Sequence, residues 1–158
     1  MLGKNGLVYA CDRGQDRINV YTKGSGTTPG TLVKTIPVIP GTAALGVAGS
    51  AWDIDFSPDA SQTFAYISDG GNEVMWIFNH AAALAGLPNA ILDGFGRPGH
   101  AAGEFTFLHM MAIDSNGNLY VGETIGGRRI QKFTKCPGNS HGVDNASPHG
   151  CPGNSSGR

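Results

Sequence analysis

Charged side chains are scarce in this sequence, with 11 Lys and Arg and 12 Asp and Glu among 158 residues. That is 15%, where globular chains average about 25%. The two signs nearly cancel, at a net charge of −1, so no polybasic surface is available for nucleic acid or an anionic membrane. No apolar run approaches the roughly 18 residues of a membrane span. The opening Met1-Leu-Gly-Lys-Asn-Gly6 lacks the hydrophobic stretch of a signal peptide. Long helices are disfavoured too, because the chain carries 25 glycines, each costing about 1 kcal/mol in a helix interior. What these absences leave is a turn-rich, mostly β protein, long enough for a core.

What is present is a repeat. Gly6-Leu-Val-Tyr-Ala-Cys-Asp12 leads to Arg17-Ile-Asn-Val-Tyr21, Phe64-Ala-Tyr-Ile-Ser-Asp69 to Val74-Met-Trp-Ile-Phe78, and Asn118-Leu-Tyr-Val-Gly-Glu123 to Arg129-Ile-Gln-Lys-Phe133. Each unit is a strand with a tyrosine, then an acid, a polar turn and a second strand ending in an aromatic. Tyr9, Tyr66 and Tyr120 are spaced by 57 and 54 residues. The alternation in residues 17–21 and 129–133 has the period of half-buried strands.

Further strands are predicted at 51–56 and 108–114, ahead of the second and third hairpins, and at 31–38 and 90–93, after the first and second. Asn116-Gly117 is the sequence signal for a two-residue hairpin turn. Asn79 to Gly86 reads as a short helix on an outer edge, with Asn79 as N-cap and Gly86 and Pro88 as stops. Four consecutive antiparallel strands, repeated, make a propeller blade.

The predicted fold is therefore all-β, a partial propeller of about two and a half to three four-stranded blades over residues 1–135. Counting strands a to d outward from the axis, the chain runs b-c-d, a-b-c-d, a-b-c. Rings close with roughly four to eight blades. The chain is thus either a part of a larger propeller or one whose open sheet edges pair with other copies. Residues 136–158 form a Gly/Pro/Asn/Ser tail with Cys-Pro-Gly-Asn-Ser at 136–140 and again at 151–155. So few apolar groups cannot offset the entropy of ordering it.

Several residues are candidates for chemistry. His109 opens an innermost strand, where side chains face the central channel; Trp52 is its counterpart in the middle blade. Asp12 with Arg17, and Glu123 with Arg128 or Arg129, bracket the hairpin turns, as expected of structural ion pairs setting register. Cys11 sits in a strand as a small hydrophobe. Cys136 and Cys151 could close a disulfide or stay free or intermolecular thiols. With His141 and His149 they form a set that does not match usual zinc spacing. Asn145 and Asn154 stand in glycosylation sequons, meaningful only in a secreted protein. Gly94-Phe-Gly-Arg-Pro-Gly99 lacks the Gly-Lys-Ser/Thr ending of a phosphate loop and reads as a blade-to-blade turn.

Residues 6–21 and 117–133 resemble the NHL repeat of six-bladed β-propellers. Residues 95–115 look like the blade junction of bacterial NHL proteins, and are similar to peptidyl-hydroxyglycine amidating lyases and sugar-lactonase propellers. The middle unit departs from the pattern, with Val74 where the repeat has Arg. The resemblance implies an extracytoplasmic propeller. In the lyases a His before an inner strand is one of three zinc ligands, which implies a metal role for His109. Two functions stay open: a non-catalytic binding or scaffold segment, with protein or self-association as its partner, and a zinc- or calcium-dependent lyase or lactonase-like enzyme.

Overall fold

The computed structural model describes residues 1–46 and 48–135. The described chain is three antiparallel sheets in succession, each with its strands in sequence order. The first holds β1 (Leu7–Asp12), β2 (Arg17–Thr22) and β3 (Leu32–Pro37). The second holds β4 (Asp53–Phe56), β5 (Phe64–Asp69), β6 (Val74–Asn79) and β7 (Ile91–Phe95). The third holds β8 (Leu108–Ile113), β9 (Leu119–Glu123) and β10 (Ile130–Phe133). The fold is all-β, a partial propeller of one complete blade between two three-stranded ones. In the first blade the place of the innermost strand is taken by the N-terminal residues: Leu2 bridges Val8, and the Tyr9 amide donates to the Met1 carbonyl at 2.8 Å.

The hydrophobic core lies between blades, and strand periodicity assigns each side chain to one gap. Ala65, Ile67 and Phe78 join Tyr9, Ile18, Val20 and Ile36 between the first two blades. Tyr66, Met75 and Ile77 join Leu119, Val121 and Phe133 between the second and third. The middle blade is covered on both faces, so β5 is buried almost throughout while β1 is not. Each fully buried Ile or Phe contributes about 1.5–3 kcal/mol; a lone middle blade would leave both of these faces in water.

Of two local expectations, the structure adds to one and corrects the other. The short helix α1 (His80–Ala85) is capped by the Asn79 side chain, which accepts from the Ala82 amide at 2.9 Å, and ends at Gly86 with φ 74°. It lies on the outer side, packed against β3 and β6, and forms part of the core. His80, Ala82 and Ala83 are buried, because alanine lets the helix approach closely enough to close the outer end of the first core. At Asn116-Gly117 only Gly117 has a positive φ, of 83°. The Asp114 carboxylate accepts from the Asn116 and Asn118 amides, which organises a longer turn and displaces the expected two-residue one.

Carboxylates join one blade to the next. Asp16 (φ 51°) and Glu73 (φ 56°) both precede the third strand of their blade in left-handed backbone, a conformation that is costly for a residue with a Cβ. Buried Asp16 accepts from the amides of Gly41, Ala43 and Ser50 at 2.9–3.1 Å. Glu73 accepts from the amides of Phe107 and Leu108 at 2.7 and 2.9 Å. Asp53 and Asp55 bridge inner strands: each takes the next amide of β4 on one oxygen and an amide of β8, Met111 or Ile113, on the other. Burial pushes the Asp55 carboxyl above its ordinary range despite those bonds. For Asp16 burial acts in the same upward direction, but the amide donors outweigh it and hold the group low.

A neutral network also crosses the first gap. The Tyr9 hydroxyl meets His80 Nε2 at 2.6 Å, and His80 Nδ1 lies 2.9 Å from the Gln62 carbonyl. An Nδ1–H tautomer satisfies both contacts, with Tyr9 donating to Nε2. Burial lowers the His80 pKa, opposed by the Gln62 carbonyl and the Asp59 charge.

Two outcomes follow for stability. Asp16→Asn should lower the unfolding free energy in urea by roughly 2–4 kcal/mol at neutral pH, since one amide oxygen replaces a carboxylate with several donors. In the parent, the stability from Asp16 is present above the unfolded carboxylate value near 3.9 and lost as pH falls through the lower folded one; the variant should lack that acid component. His80 works in a different window. As pH drops below about 6.5 the unfolded imidazole takes up a proton that the folded one refuses. Urea midpoints should therefore fall between about pH 7.5 and 5.5, and His80→Gln should flatten that slope.

Candidate functional site

In every blade the acid ending the second strand faces the start of the third, across the turn. Asp12 pairs with Arg17 Nε at 2.9 Å and takes a longer contact from Asn19 at 3.4 Å. Glu123 pairs with Arg129 Nε at 2.6 Å and accepts from Gln131 at 2.8 Å. In the middle blade, where Val74 replaces the arginine, Asp69 accepts from the Trp76 indole N–H at 2.9 Å and the Asn72 amide group at 2.7 Å. Asn19, Trp76 and Gln131 occupy the same repeat position, two residues after the arginine site. That donor series is legible in the repeat once the strands are aligned, and sequence reasoning passed over it.

The pairs differ in environment. Side-chain exposure is 40% and 33% for Arg17 and Asp12, but 28% and 0% for Arg129 and Glu123. Arg129 also donates to the carbonyls of His100, Ala101 and Glu104. It thus ties the loop entering the third blade to β10. Arg128, adjacent, turns away and donates to the Ile125 carbonyl at 2.6 Å.

His109 lies at a bulge in β8, where the register slips between Leu108 and Met110. It is exposed, and its ring stands edge-on to Trp52 at 5.3 Å between centroids. Trp52 in turn carries Arg13 over its ring, with Cζ 4.7 Å from the centroid. Arg13 comes from the 3-10 turn between β1 and β2, so three successive blades each contribute one residue to this row. The row lies at the end of the blades where inner strands begin. Its geometry depends on close approach. The Trp52 indole N–H donates to the Gly49 carbonyl at 2.6 Å. At Gly49 (φ 82°) a Cβ would collide with the Arg13 carbonyl, and at Gly70 one would strike the Trp52 ring.

Beside His109 a groove of about 530 Å³ runs over the third blade, lined by Met110, Gly122, Arg128 and Ile130 among others. His109's neighbours, an indole and beyond it a guanidinium, are not metal ligands. Among the described residues no group of three or more His, Cys, Asp or Glu side chains is placed to hold a metal ion. Cys11 is half-buried against the first core, and burial pushes its thiol up to about 12, with the Asp53 charge adding to the effect. Cys136, Cys151, His141, His149, Asn145 and Asn154 lie outside the described residues. Among those described, no helix is long and apolar enough to cross a membrane.

No protein-family model matches the chain, and no curated protein matches it. Among solved structures it is similar to one from Bacteroides fragilis, provisionally described as a 6-phosphogluconolactonase, with a TM-score of 0.57 at 16% identity. The match covers 92% of this chain and 36% of that one, so the chain spans little more than a third of that protein's length. At this identity the likeness concerns the fold, and folds of this kind host unrelated functions.

The two repeat arginines should respond differently to removal. Arg129→Ala strands a buried carboxylate and should cost roughly 3–5 kcal/mol, whereas Arg17→Ala should cost no more than about 1 kcal/mol. Chemical denaturation of both variants measures the difference.

Proposed function

We propose that the chain is a binding and scaffold segment of an NHL-type β-propeller, non-catalytic by itself, whose third blade receives a further blade. The observation that carries this is the fate of one repeat position. Tyr9 and Tyr66 each point toward the following blade and are 2% and 3% exposed. Tyr120 occupies the same position and is only half-buried. Around it Met110 is 59% and Ile130 77% exposed. Strand register aligns Met110 and Ala112 with Asp53 and Asp55. The surface that packs in the first two blades is present in the third, with apolar groups where the second has bridging carboxylates. Large apolar side chains clustered on one sheet face favour an interaction role. An extracytoplasmic location belongs to this reading through the NHL resemblance.

Purified chain should associate beyond its 16.4 kDa monomer mass in sedimentation or light scattering. The double change Met110→Glu, Ile130→Glu should return it to monomer, while Leu87→Glu, at an exposed apolar residue elsewhere, should not. A parent that stays monomeric at every concentration counts against a self-docking face.

A second reading, a metal-dependent lactonase-like or lyase-like enzyme, draws on the provisional lactonase assignment of the Bacteroides fragilis protein and on the exposed position of His109. It requires ligands beyond those in the row. Stoichiometric zinc or calcium in purified protein, lost in His109→Ala, would favour it over the scaffold.

A further inference from the structure

We propose that the outer edge of the third blade, strand β10, binds an extended segment of another protein by antiparallel strand addition. Its register selects the pattern aliphatic, any residue, acid, small, apolar. In the first two blades the strand equivalent to β10 has an outer neighbour: β3 covers β2, and β7 covers β6. In the third blade the order is β10-β9-β8, and among the described residues no strand lies outside β10. The Glu123 amide donates to the Arg129 carbonyl at 2.9 Å, which fixes the alternation along the ladder. The backbone groups of Arg129, Gln131 and Phe133 turn toward β9, and those of Ile130 and Lys132 turn outward. Such an edge is a template for pairing with another chain.

The two occupied edges show what fits, because they share one register. Ile36 and Phe95 lie opposite Ile18 and Met75, Thr35 and Gly94 opposite Asn19 and Trp76, and Lys34 and Asp93 opposite Val20 and Ile77. After the same one-residue slip, Leu32 and Ile91 lie opposite Tyr21 and Phe78. The apolar position is buried in both cases, and a Cβ at Gly94 would strike the Trp76 indole. On β10 the corresponding places face Ile130, Gln131, Lys132 and Phe133. Ile130 is 77% exposed where Ile18 and Met75 are each 0%, so an apolar residue opposite it covers surface that its equivalents bury.

One position changes character. Val20 and Ile77 are apolar, whereas Lys132 is a cation held 5.3 Å from the centre of the Tyr120 ring, with no carboxylate paired to it among the described residues. Opposite charges across a strand pair attract, which calls for Asp or Glu at that place. Ile91-Leu-Asp-Gly-Phe95 has the whole pattern, but in this chain it is already paired with β6. Residues 136–158 do not supply it, since their single acid, Asp144, follows Gly142 where the aliphatic residue would stand. A segment from another protein is therefore the occupant. The edge is a different surface from the face on which a further blade would pack, although Ile130 borders both, so strand addition does not require blade docking.

Nuclear magnetic resonance of the full chain tests this, with a synthetic peptide of the sequence of residues 89–96 as the probe. Saturable shifts of the Ile130 and Lys132 amides are expected, with slowed hydrogen exchange at both. The peptide carrying Asp93→Lys should bind about fivefold more weakly. Lys132→Glu in the chain should reverse that preference, an outcome that also shows the variant to be folded. Sedimentation reads the face and the titration reads the edge, so either can fail alone. A linear, unsaturable drift overturns the proposal, as does a scrambled peptide that binds equally well or a Lys132→Glu chain with the parent's preference. Ile130 and Lys132 amides already protected before peptide is added, by residues 136–158 or by a second copy, overturn it too.

Discussion

A strand that opens a new blade arrives with a row of amides facing no neighbouring strand, and carboxylates of the blade before it complete them. Asp53 and Asp55 each hold one amide of their own strand and one of the next blade's. Asp16 and Glu73 receive the amides of the segments leading into the second and third blades. A carboxylate suits this task because its two oxygens accept several bonds at once. An amide left unpaired inside would cost about 1–3 kcal/mol. These contacts set the distance and angle between blades, and so decide which side chains meet in the two cores. The row of Arg13, Trp52 and His109 depends on the same spacing, since its members come from three blades.

The first two joints use an acid in left-handed backbone ahead of the third strand. The third blade has Arg128 at that position, with φ 49°, and Met110 and Ala112 in place of the bridging aspartates. The blade keeps the backbone of a joint while its chemistry changes from carboxylate to apolar and basic. Whatever meets this face must bring its own acceptors. That separates it from a simple continuation of the repeat and gives the scaffold reading its physical content.

Much of the architecture could be read from the chain because blade structure is local. A tyrosine, an acid, a turn and an alternating strand lie within some fifteen residues, and their hydrogen bonds close within that span. The Asp12–Arg17 contact is of this kind. Where local signals met tertiary competition they were incomplete. Asn116-Gly117 speaks for a tight turn, but Asp114 offered its carboxylate to the same amides. Asn79 and Gly86 mark the ends of a helix accurately and say nothing of what its alanines touch. Val74 looks like a break in the repeat, yet the indole of Trp76 supplies the donor that Asp69 would otherwise lack.

The sequence by itself determined the period, the strand order within each blade and the positions of the acids, because these follow from side-chain alternation and short-range bonding. Only the tertiary structure decided which acids face a guanidinium and which clasp the next blade. It alone decided that Glu123 is sealed while Asp12 stays half in water, and that Arg13, Trp52 and His109 stand together. Those outcomes turn on separations of tens of residues and on how closely glycine-lined blades approach. Burial and contact between blades are properties of the gap between two sheets, and no single repeat contains that gap.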